Sequence, residues 1–383
     1  MPRPRLLLAI TVYNGRSFVP RCVRSAQELR AQDVDIDVLV LDDASPEPGF
    51  SEELRALCDE LGVGCYRTPR NLGIVRNVNL ALLRARDCGY DYVVVSNSDV
   101  IYPANFVDQL VAVARSDHTI GSVTAWSNNV SIYSVPNDDP DRHLGEQSVV
   151  DEASAALAAE FGTEAIDIPA GISFSMLITR EAVAQVGLMD LVFGRGYCEE
   201  TDWSRRSLLA GFRLVLAPGV FVYHSGRGST VEAGLLAGGH TTVPANEAVI
   251  DLRYPGFRRE VQAFVDSGVL DAAWGRAGRA IVRSGGAAAG YAVDVGHLER
   301  GDDATPRVTV PPEAGGRLVA SYRGFHAVLP PASDSTAAVR DFFGAAPRSV
   351  RLVSREPTAM ALAEAHAGPG VAVVERAGYP DRV

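Results

Sequence analysis

Apolar and polar positions along the first third of the chain alternate between short apolar runs and amphipathic stretches. The apolar runs are LLLAITVY, DVLVLDD, GCYRTP and YVVVSNSD. Between them, the spacing of apolar residues predicts helices near residues 17–31, 51–62 and 73–88. Strands that alternate with helices predict a parallel sheet with right-handed crossovers, so we expect an α/β fold with flanking helices.

This pattern continues to about residue 224. GSVTAWSNN predicts a strand and a loop, residues 137–147 a surface excursion, and residues 151–161 a helix. A strand, a turn and a helix capped by the Thr179 hydroxyl follow, and GYCEETDWSRRSLLAGF predicts a loop that enters another helix. RLVLAPGVFVYH predicts a further strand, and the Gly-rich run after it predicts a mobile loop or a linker.

Charge divides the chain near residue 244. Residues 1–244 hold 20 Arg and 31 acidic residues, whereas residues 245–383 hold 16 of each. The shift predicts one large domain over 1–244 and a small accessory α/β region over 245–383. The accessory region shows an amphipathic helix at RYPGFRREVQAFVDSGVL and a strand, helix and strand near its end, but its sequence does not indicate a role.

The composition of the chain argues against several classes of function. The 383 residues carry a net charge of -11, and all 36 basic residues are Arg, which disfavours a general nucleic-acid binder. No stretch reaches the ~18 apolar residues of a membrane span, so we expect no transmembrane segment. The five cysteines show no CxxC spacing and predict reduced thiols in a cytoplasmic protein. Peripheral contact with a membrane and formation of a homodimer stay open.

Polar clusters follow the ends of the predicted strands, where ligands bind in parallel α/β sheets. Asn97-Ser98-Asp99 follows YVVV, and a carboxylate there either ligates a divalent cation or closes an Asx turn. Asp42 and Asp43 end an earlier strand, where a carboxylate accepts hydrogen bonds from a nucleotide base or from a helix N-terminus.

Two more features lie beside this edge of the sheet. Asn71-Leu72-Gly73 predicts a tight turn, and Arg76 places a guanidinium near it that suits a diphosphate or is simply solvated. His224 follows the apolar run VFVY, as either a metal ligand or a structural histidine.

An acidic cluster stands farther along the chain. Glu199, Glu200 and Asp202 lie within four residues, so their repulsion raises at least one pKa, which suits a general base. The same cluster also suits a helix N-terminus, where acids interact favourably with the helix dipole.

These segments, taken in order, resemble the inverting family 2 glycosyltransferases with the GT-A fold, including bacterial rhamnosyl and O-antigen-type enzymes. The resemblance extends over about residues 5–230, and the FGRGY-x-EE-x-D unit is its most specific part. It is carried by TVYNG, VLDDAS, RNLGIVRNVN, VVVSNSDV, VTAWSNN, PAGISFSMLITREAVAQVGLMD, FGRGYCEETDWSRR and FVYHSGRGS.

The resemblance implies a mixed, mostly parallel sheet, a nucleoside-diphosphate sugar as donor and Mn²⁺ or Mg²⁺ as cofactor. Asn97-Ser98-Asp99 stands where the family has its DxD motif, with Asn97 in place of the first acid. Asp99 and His224 are then the metal ligands. Asn97 brings no charge, so we expect weaker metal affinity than usual, and a histidine ligand suits Mn²⁺ better than Mg²⁺.

The resemblance also implies a mechanism. Glu200, flanked by Glu199 and Asp202, is the base for a single displacement with inversion, and Arg76 or Arg227 offsets charge on the leaving diphosphate. Residues 127–129 and Trp203 line the acceptor side. The donor-binding residues are Thr11, Tyr13, Asp42, Asp43, Asn71, Gly73, Arg76 and Asn97.

The resemblance therefore implies that the predicted domain over 1–244 is a GT-A catalytic domain of hexosyltransferase type. It also implies a donor that is UDP-, dTDP- or GDP-linked and an acceptor hydroxyl on a glycan, a lipid-linked glycan or a small molecule, with polysaccharide biosynthesis as one setting. Two alternatives stay open. An inactive, glycosyltransferase-like scaffold is suggested by Asn97, and a sugar-nucleotide nucleotidyltransferase shares the nucleotide-binding sheet. A nucleotidyltransferase usually has a Gly-rich basic loop after the first strand, and TVYNGRSF has one Gly and one Arg.

Overall fold

The computed structural model divides the chain into two compact units. One holds Met1–Ser134 and Gly145–Leu270, and the other holds Val135–Leu144 and Asp271–Val383. The charge pattern predicted a boundary at 244/245, whereas the units divide at 270/271. The structure describes residues 3–135, 145–226, 243–296, 305–311, 317–329, 334–352 and 356–375.

The first unit contains the following elements. Its strands are β1 (Arg5–Val12), β2 (Asp35–Asp42), β3 (Gly64–Arg67), β4 (Tyr92–Ser96), β5 (Val100–Ile101), β6 (Ile120–Ser127), β7 (Ile166–Asp167), β8 (Ser175–Thr179) and β9 (Arg213–His224). Its helices are α1 (Val19–Gln27), α2 (Phe50–Leu61), α3 (Ile74–Asp87), α4 (Phe106–Ser116), α5 (Gln147–Phe161), α6 (Arg180–Val186), α7 (Glu199–Leu209), α8 (Val243–Arg253) and α9 (Phe257–Asp266). Short 3-10 turns span Ser131–Tyr133 and Leu191–Phe193.

These strands form one sheet in the order β3-β2-β1-β4-β8-β6-β9-β5, with β7 on β9. β3, β2, β1 and β4 pair in parallel, β8 runs antiparallel to β4 and β6, and β9 runs parallel to β6. Residues of β4, β6, β8 and β9 are almost all buried, as in a sheet covered on both faces. The predicted α/β class with a mixed, mostly parallel sheet and flanking helices is confirmed.

Most predicted elements of this unit are present, with shifted ends. The Thr179 hydroxyl accepts a hydrogen bond from the amide of Ala182, which confirms the predicted cap of α6. The predicted amphipathic helix after residue 252 is broken at Pro255-Gly256, because proline lacks the amide hydrogen that a continuous helix uses. The Gly-rich linker prediction, and most of the 137–147 excursion, lie outside the described residues.

The second unit is a smaller α/β unit. Its elements are most of α10 (Val269–Ala289), then β10 (Ala292–Val295), β11 (Arg307–Val310), β12 (Val319–Tyr322), β13 (Phe325–Val328), α11 (Ser335–Phe343), β14 (Ser349–Leu352), α12 (Pro357–Ala367) and β15 (Val373–Glu375). The sheet order is β13-β12-β11-β10-β14-β15. The terminal strand, helix and strand were predicted, whereas the antiparallel strands β12 and β13 were not. Among the helices described, none has the length and apolar character needed to cross a membrane.

Candidate active site

A cavity of about 820 Å³ lies in the first unit, at the carboxyl ends of β1, β4, β6 and β9 and beside the N-terminus of α7. Three predicted site residues, Asp42, Arg76 and Asp202, do not line it, and Arg227 lies outside the described residues. The predicted residues that do line it are Thr11, Tyr13, Asp43, Asn71, Gly73, Asn97, Asp99, Glu199, Glu200 and His224.

Asp99 and His224 form a close pair at the floor of this cavity. The Nε2 atom of His224 lies 3.2 Å from Oδ1 of Asp99, and the Asp99 side chain is 1% exposed. No hydrogen-bond donor satisfies either carboxylate oxygen, apart from this imidazole in its protonated form. Asn97 lies beside the pair, with its amide nitrogen 3.4 Å from Nε2.

A hydrogen bond of the second ring nitrogen identifies the tautomer of His224. Nδ1 lies 2.9 Å from the carbonyl oxygen of Asn129, and a carbonyl only accepts, so Nδ1 carries a hydrogen. In the neutral imidazole the Nε2 lone pair then faces the Asp99 carboxylate, an arrangement that a shared cation stabilises. Without a cation, burial opposes protonation, but the hydrogen bond and charge of Asp99 outweigh it and raise the pKa of His224.

Asn128 fixes the position of His224. Its amide nitrogen donates to the His224 carbonyl at 3.0 Å, and its Oδ1 accepts from the His224 amide at 2.7 Å. The buried Asn128 side chain therefore continues the pairing of β6 with β9 beyond the strand ends.

Glu199 and Glu200 occupy the first turn of α7. The chain enters this helix through Tyr197 and Cys198, which have φ values of 73° and 72°. Such left-handed conformations cost about 1–3 kcal/mol each in residues other than glycine. Asn246 on α8 supports this entry, because its amide nitrogen lies 2.7 Å from the Gly196 carbonyl and 2.9 Å from that of Tyr197.

Burial raises the pKa of both carboxyl groups, and the charge of Glu200 raises the pKa of Glu199 further. Glu199 therefore holds its proton more strongly, and Glu200 is the group of the two that ionises first. The Oε2 atom of each group is buried and has no hydrogen-bond partner. A buried carboxylate with a raised pKa and one oxygen without a partner is suited to accept a proton from a bound molecule.

Asp202 lies on the same helix but belongs to a different network. Its fully buried carboxylate accepts hydrogen bonds from Nε of Arg206 at 2.8 Å, from Nη1 of Arg253 at 2.7 Å and from the Tyr254 hydroxyl at 2.9 Å. These partners use its lone pairs, and Arg253 and Tyr254 hold α7 against the C-terminal end of α8.

The two neighbouring acids at the end of β2 also differ in whether they face the cavity. Asp42 is buried and accepts hydrogen bonds from the hydroxyls of Ser45 and Ser51 at 2.6 Å each, which turn it away from the cavity. Asp43 lines the cavity, and its oxygens accept from the amides of Leu72 and Gly73 at 2.7 and 2.8 Å. Asp43 thereby fixes the turn that the sequence predicted.

Two glycines lock this turn against the loop that precedes α7. A Cβ on Gly73, at φ +81°, would lie 2.8 Å from the Cα of Arg195. A Cβ on Gly196, at φ +135°, would lie 2.3 Å from a methyl carbon of Ile74. The amide of Ile74 also donates to the Arg195 carbonyl at 3.2 Å. Side chains at either glycine would separate the two loops.

Arg195 is a cation that sequence reasoning did not assign. Arg76 is exposed on α3 and does not line the cavity, whereas Arg195 does. Apart from His224, Arg195 is the only basic residue among the lining residues that the structure describes. It lies inside the FGRGY segment, so its segment was recognised although its role was not. Trp203, expected on the acceptor side, is fully buried and donates to the Gly187 carbonyl at 3.0 Å.

An apolar part of the lining was also missed. Tyr133 in the first 3-10 turn and Phe257 and Val261 on α9 line the cavity. The available signal was the spacing of Phe257, Val261 and Phe264, which places three apolar residues on one face of a helix. The sequence alone did not show that this face turns toward the sheet.

Comparison with known proteins agrees with the geometry. Residues 8–186 match the family model described as glycosyl transferase family 2. No curated protein matches the chain.

Two solved structures match parts of this chain at low sequence identity. One is a crystal structure of GalNAc-T7 with UDP, GalNAc and Mn²⁺, at 16% identity and a TM-score of 0.46, covering 58% of this chain and 44% of that chain. This chain therefore spans less than half the length of that protein. The other is the mannosyltransferase PcManGT from Pyrobaculum calidifontis in complex with GDP-Man and Mn²⁺, at 18% identity and a TM-score of 0.43, covering 70% and 76%. At these TM-scores neither likeness bears on the substrates of this chain.

The matched segment contains the strand-end residues Asp43, Asn97 and Asp99, and the remaining cavity residues complete the same pocket. The sequence segments, the α/β fold and the family match agree, and residues 8–186 of the 383 are similar to glycosyl transferase family 2.

Proposed function

We propose that the cavity transfers a sugar from a nucleoside-diphosphate sugar to a hydroxyl group by a single displacement that inverts the anomeric centre. The observation that carries this proposal is the pair of unsatisfied acidic sites in one cavity. Asp99 beside His224 supplies a place for a cation, and Glu200 supplies a base.

Glu200 takes the acceptor proton in this scheme. The acceptor oxygen attacks the anomeric carbon, the bond from that carbon to the diphosphate oxygen breaks, and the proton passes to the Glu200 carboxylate. Glu199 beside it gives up its proton less readily, because burial and the charge of Glu200 both raise its pKa. Asp202 contributes by positioning α7, since its oxygens are used by the two arginines and the tyrosine described above.

The donor lies along the opposite side of the cavity. Asp43 and the turn at Asn71 and Gly73 face the nucleotide, with Thr11 and Tyr13 from the end of β1 beside it. Arg195, rather than Arg76, is the guanidinium in place to stabilise negative charge on the leaving diphosphate.

The residues present fit a divalent metal. Asp99 offers two buried oxygens without a conventional donor, His224 offers an imidazole nitrogen, and Asn97 offers an amide next to both. A carboxylate with an imidazole favours Mn²⁺ over Mg²⁺. In the described residues no three His, Cys, Asp or Glu side chains cluster as a metal site, so a metal held by Asp99 and His224 would need further ligands from the donor and water. A bound metal supplies charge neutralisation of the diphosphate.

Two further expectations belong with this proposal. The five cysteines are free thiols, which supports a cytoplasmic location. The rhamnosyl and O-antigen resemblance, the polysaccharide setting and homodimer formation stay predictions of the sequence, as does the accessory region over residues 245–383.

The test is product analysis with UDP-, dTDP- and GDP-sugars in the presence of Mn²⁺. We expect slow release of one nucleoside diphosphate by water and faster release with an acceptor, both lost in Glu200→Gln. Release of pyrophosphate from a nucleoside triphosphate and a sugar phosphate would instead identify a nucleotidyltransferase. Donor turnover that is unchanged in Asp99→Ala and Glu200→Ala would contradict the catalytic assignment, and absence of donor binding would favour the inactive scaffold.

A further inference from the structure

The acceptor side of the cavity is built from apolar side chains of two separate elements. The 3-10 turn and its flank contribute Val130, Ile132 and Tyr133, and α9 contributes Phe257 and Val261. We call these five residues the apolar wall. The sheet edge with Asp43, Asp99 and His224 lines the same cavity, so one continuous space has a polar part and an apolar part.

The apolar wall offers few polar groups to a ligand. The Tyr133 hydroxyl donates to the Ala170 carbonyl at 2.8 Å, so only the ring of this residue is available. The other four wall residues have hydrocarbon side chains. Two residues beside the wall in the chain, Asn129 and Ser131, line the cavity with polar side chains, and both are exposed.

The helix α9, which carries two of the five wall residues, is amphipathic and has no fully buried residue. Phe257, Val261 and Phe264 follow one another at helical spacing and are half-buried. Phe264 packs edge-on against Tyr133, with ring centroids 6.5 Å apart. The protein therefore leaves Phe257 and Val261 partly uncovered at the cavity, where a bound molecule can cover them.

The apolar wall is fixed next to the proposed base. Arg205, on α7 with Glu200, forms an ion pair with Glu260 on α9 at 2.7 Å. Its guanidinium also lies 5.6 Å from the centre of the Phe257 ring. The helix that carries the base and the helix that carries the wall are thus joined through one arginine side chain.

The geometry points to an acceptor in which the reacting hydroxyl is attached to a compact apolar ring system, such as a phenol or an aryl alcohol. This inference rests on the proposed function. A sugar acceptor would place several hydroxyls against a surface with few partners, and each buried hydroxyl without a hydrogen bond is unfavourable. A flat ring covers the same surface without that cost and gains ring contacts with Tyr133 and Phe257.

Binding of 2-naphthol and of methyl glucoside to the full chain, saturated with the nucleoside diphosphate that binds best and Mn²⁺, tests this inference. We expect 2-naphthol to bind at least tenfold more tightly than methyl glucoside. Val261→Asn should weaken 2-naphthol binding about fivefold to tenfold, because a tenfold change corresponds to ~1.4 kcal/mol, close to the value of covering one valine.

Val265→Asn is the matched control. Val265 lies one turn later on the same helix, is 40% exposed and does not line the cavity, so this variant should bind 2-naphthol like the wild type. Phe257→Leu is a second variant that keeps an apolar side chain but removes the ring, and it should weaken binding of 2-naphthol more than that of cyclohexanol.

Three results would overturn the inference: methyl glucoside binding as tightly as 2-naphthol, equal effects of the Val261 and Val265 substitutions, or tighter binding of the long-chain alcohol 1-decanol. The proposed function fails separately, if UDP, dTDP and GDP all fail to bind. Nucleotide binding without preference for 2-naphthol would therefore reject the acceptor class alone.

Discussion

Replacing Asp202 by Asn should destabilise the first unit while leaving the chemistry of the folded protein largely intact. Asp202 is fully buried, and its carboxylate receives three hydrogen bonds, two of them from arginines. Asparagine has a similar shape but no charge, and its amide group places donors against donors. The substitution therefore removes most of the interaction without creating a cavity.

The magnitude follows from these contacts. Hydrogen bonds to a charged group contribute about 1.5–3 kcal/mol each, and breaking a buried pair costs about 3–5 kcal/mol. Arg206 and Arg253 are 29% and 36% exposed, so water compensates them in part after the change. We expect a loss of about 3 kcal/mol, which lowers the melting temperature of a unit of this size by about 6–12 °C.

Urea unfolding and turnover of the donor measure the two parts of this prediction. The control is Asp190→Asn, because Asp190 forms its ion pair with Arg253 at the surface, at 37% exposure, and should contribute less than about 1 kcal/mol. A loss of kcat by 100-fold at unchanged free energy of unfolding would refute the reasoning and place Asp202 in the chemistry. An unchanged unfolding curve would equally refute the assigned role of the network.

Three further predictions follow from other parts of the structure. Glu200→Gln should lower kcat about 10²–10⁴-fold and leave nucleotide binding within twofold. In the wild type, kcat should fall as pH decreases, with a midpoint above the ordinary glutamate pKa, because burial raises the pKa of Glu200. A kcat that does not fall at low pH would contradict the assignment. Gly73→Ala should weaken nucleotide binding measured by calorimetry, since its Cβ would meet Arg195 at 2.8 Å, and unchanged affinity would show that the two loops move apart freely. Burial lowers the pKa of His366 to about 4, below the unfolded value of about 6.5. The free energy of unfolding of the second unit is therefore highest above pH 6.5 and falls by about 3 kcal/mol as pH falls toward 4, because the unfolded chain binds this proton first. Urea melts of His366→Gln should lack this pH dependence, and curves parallel to the wild type would rule it out.

The sequence predicts the core of the first unit because its signals are local. Each buried strand from β1 to β9 coincides with an apolar run, and the polar residues after β4 and β9 lie together because parallel strands end at one edge. This is why Asp99 and His224 were singled out although they are distant in the chain.

The sequence did not predict which of two adjacent residues faces the cavity. Asp42 ends β2 and Asp43 follows it directly. The hydroxyls of Ser45 and Ser51 turn Asp42 away from the cavity, whereas the amides of Leu72 and Gly73 hold Asp43 at the cavity. These partners come from loops whose conformations depend on tertiary contacts.

The contribution of α9 was not predictable from charge or spacing either. The neutral charge balance after residue 244 grouped this helix with the accessory region, whereas contacts through Arg205 and Glu260 attach it to α7. The sequence grouped Asp202 with the proposed base for a related reason. Its partner Arg253 lies about fifty residues farther along the chain, so the sequence did not show that they pair.

Calorimetric titration of the full chain with UDP, dTDP and GDP, each with and without Mn²⁺, tests the central claim most directly. The account predicts that one nucleotide binds more tightly than the other two, that Mn²⁺ strengthens this binding, and that Asp99→Asn removes the effect of the metal while Asp202→Asn does not. If no nucleotide binds under either condition, or if Asp99→Asn binds nucleotide and Mn²⁺ like the wild type, the cavity is not the donor site of a metal-dependent glycosyltransferase.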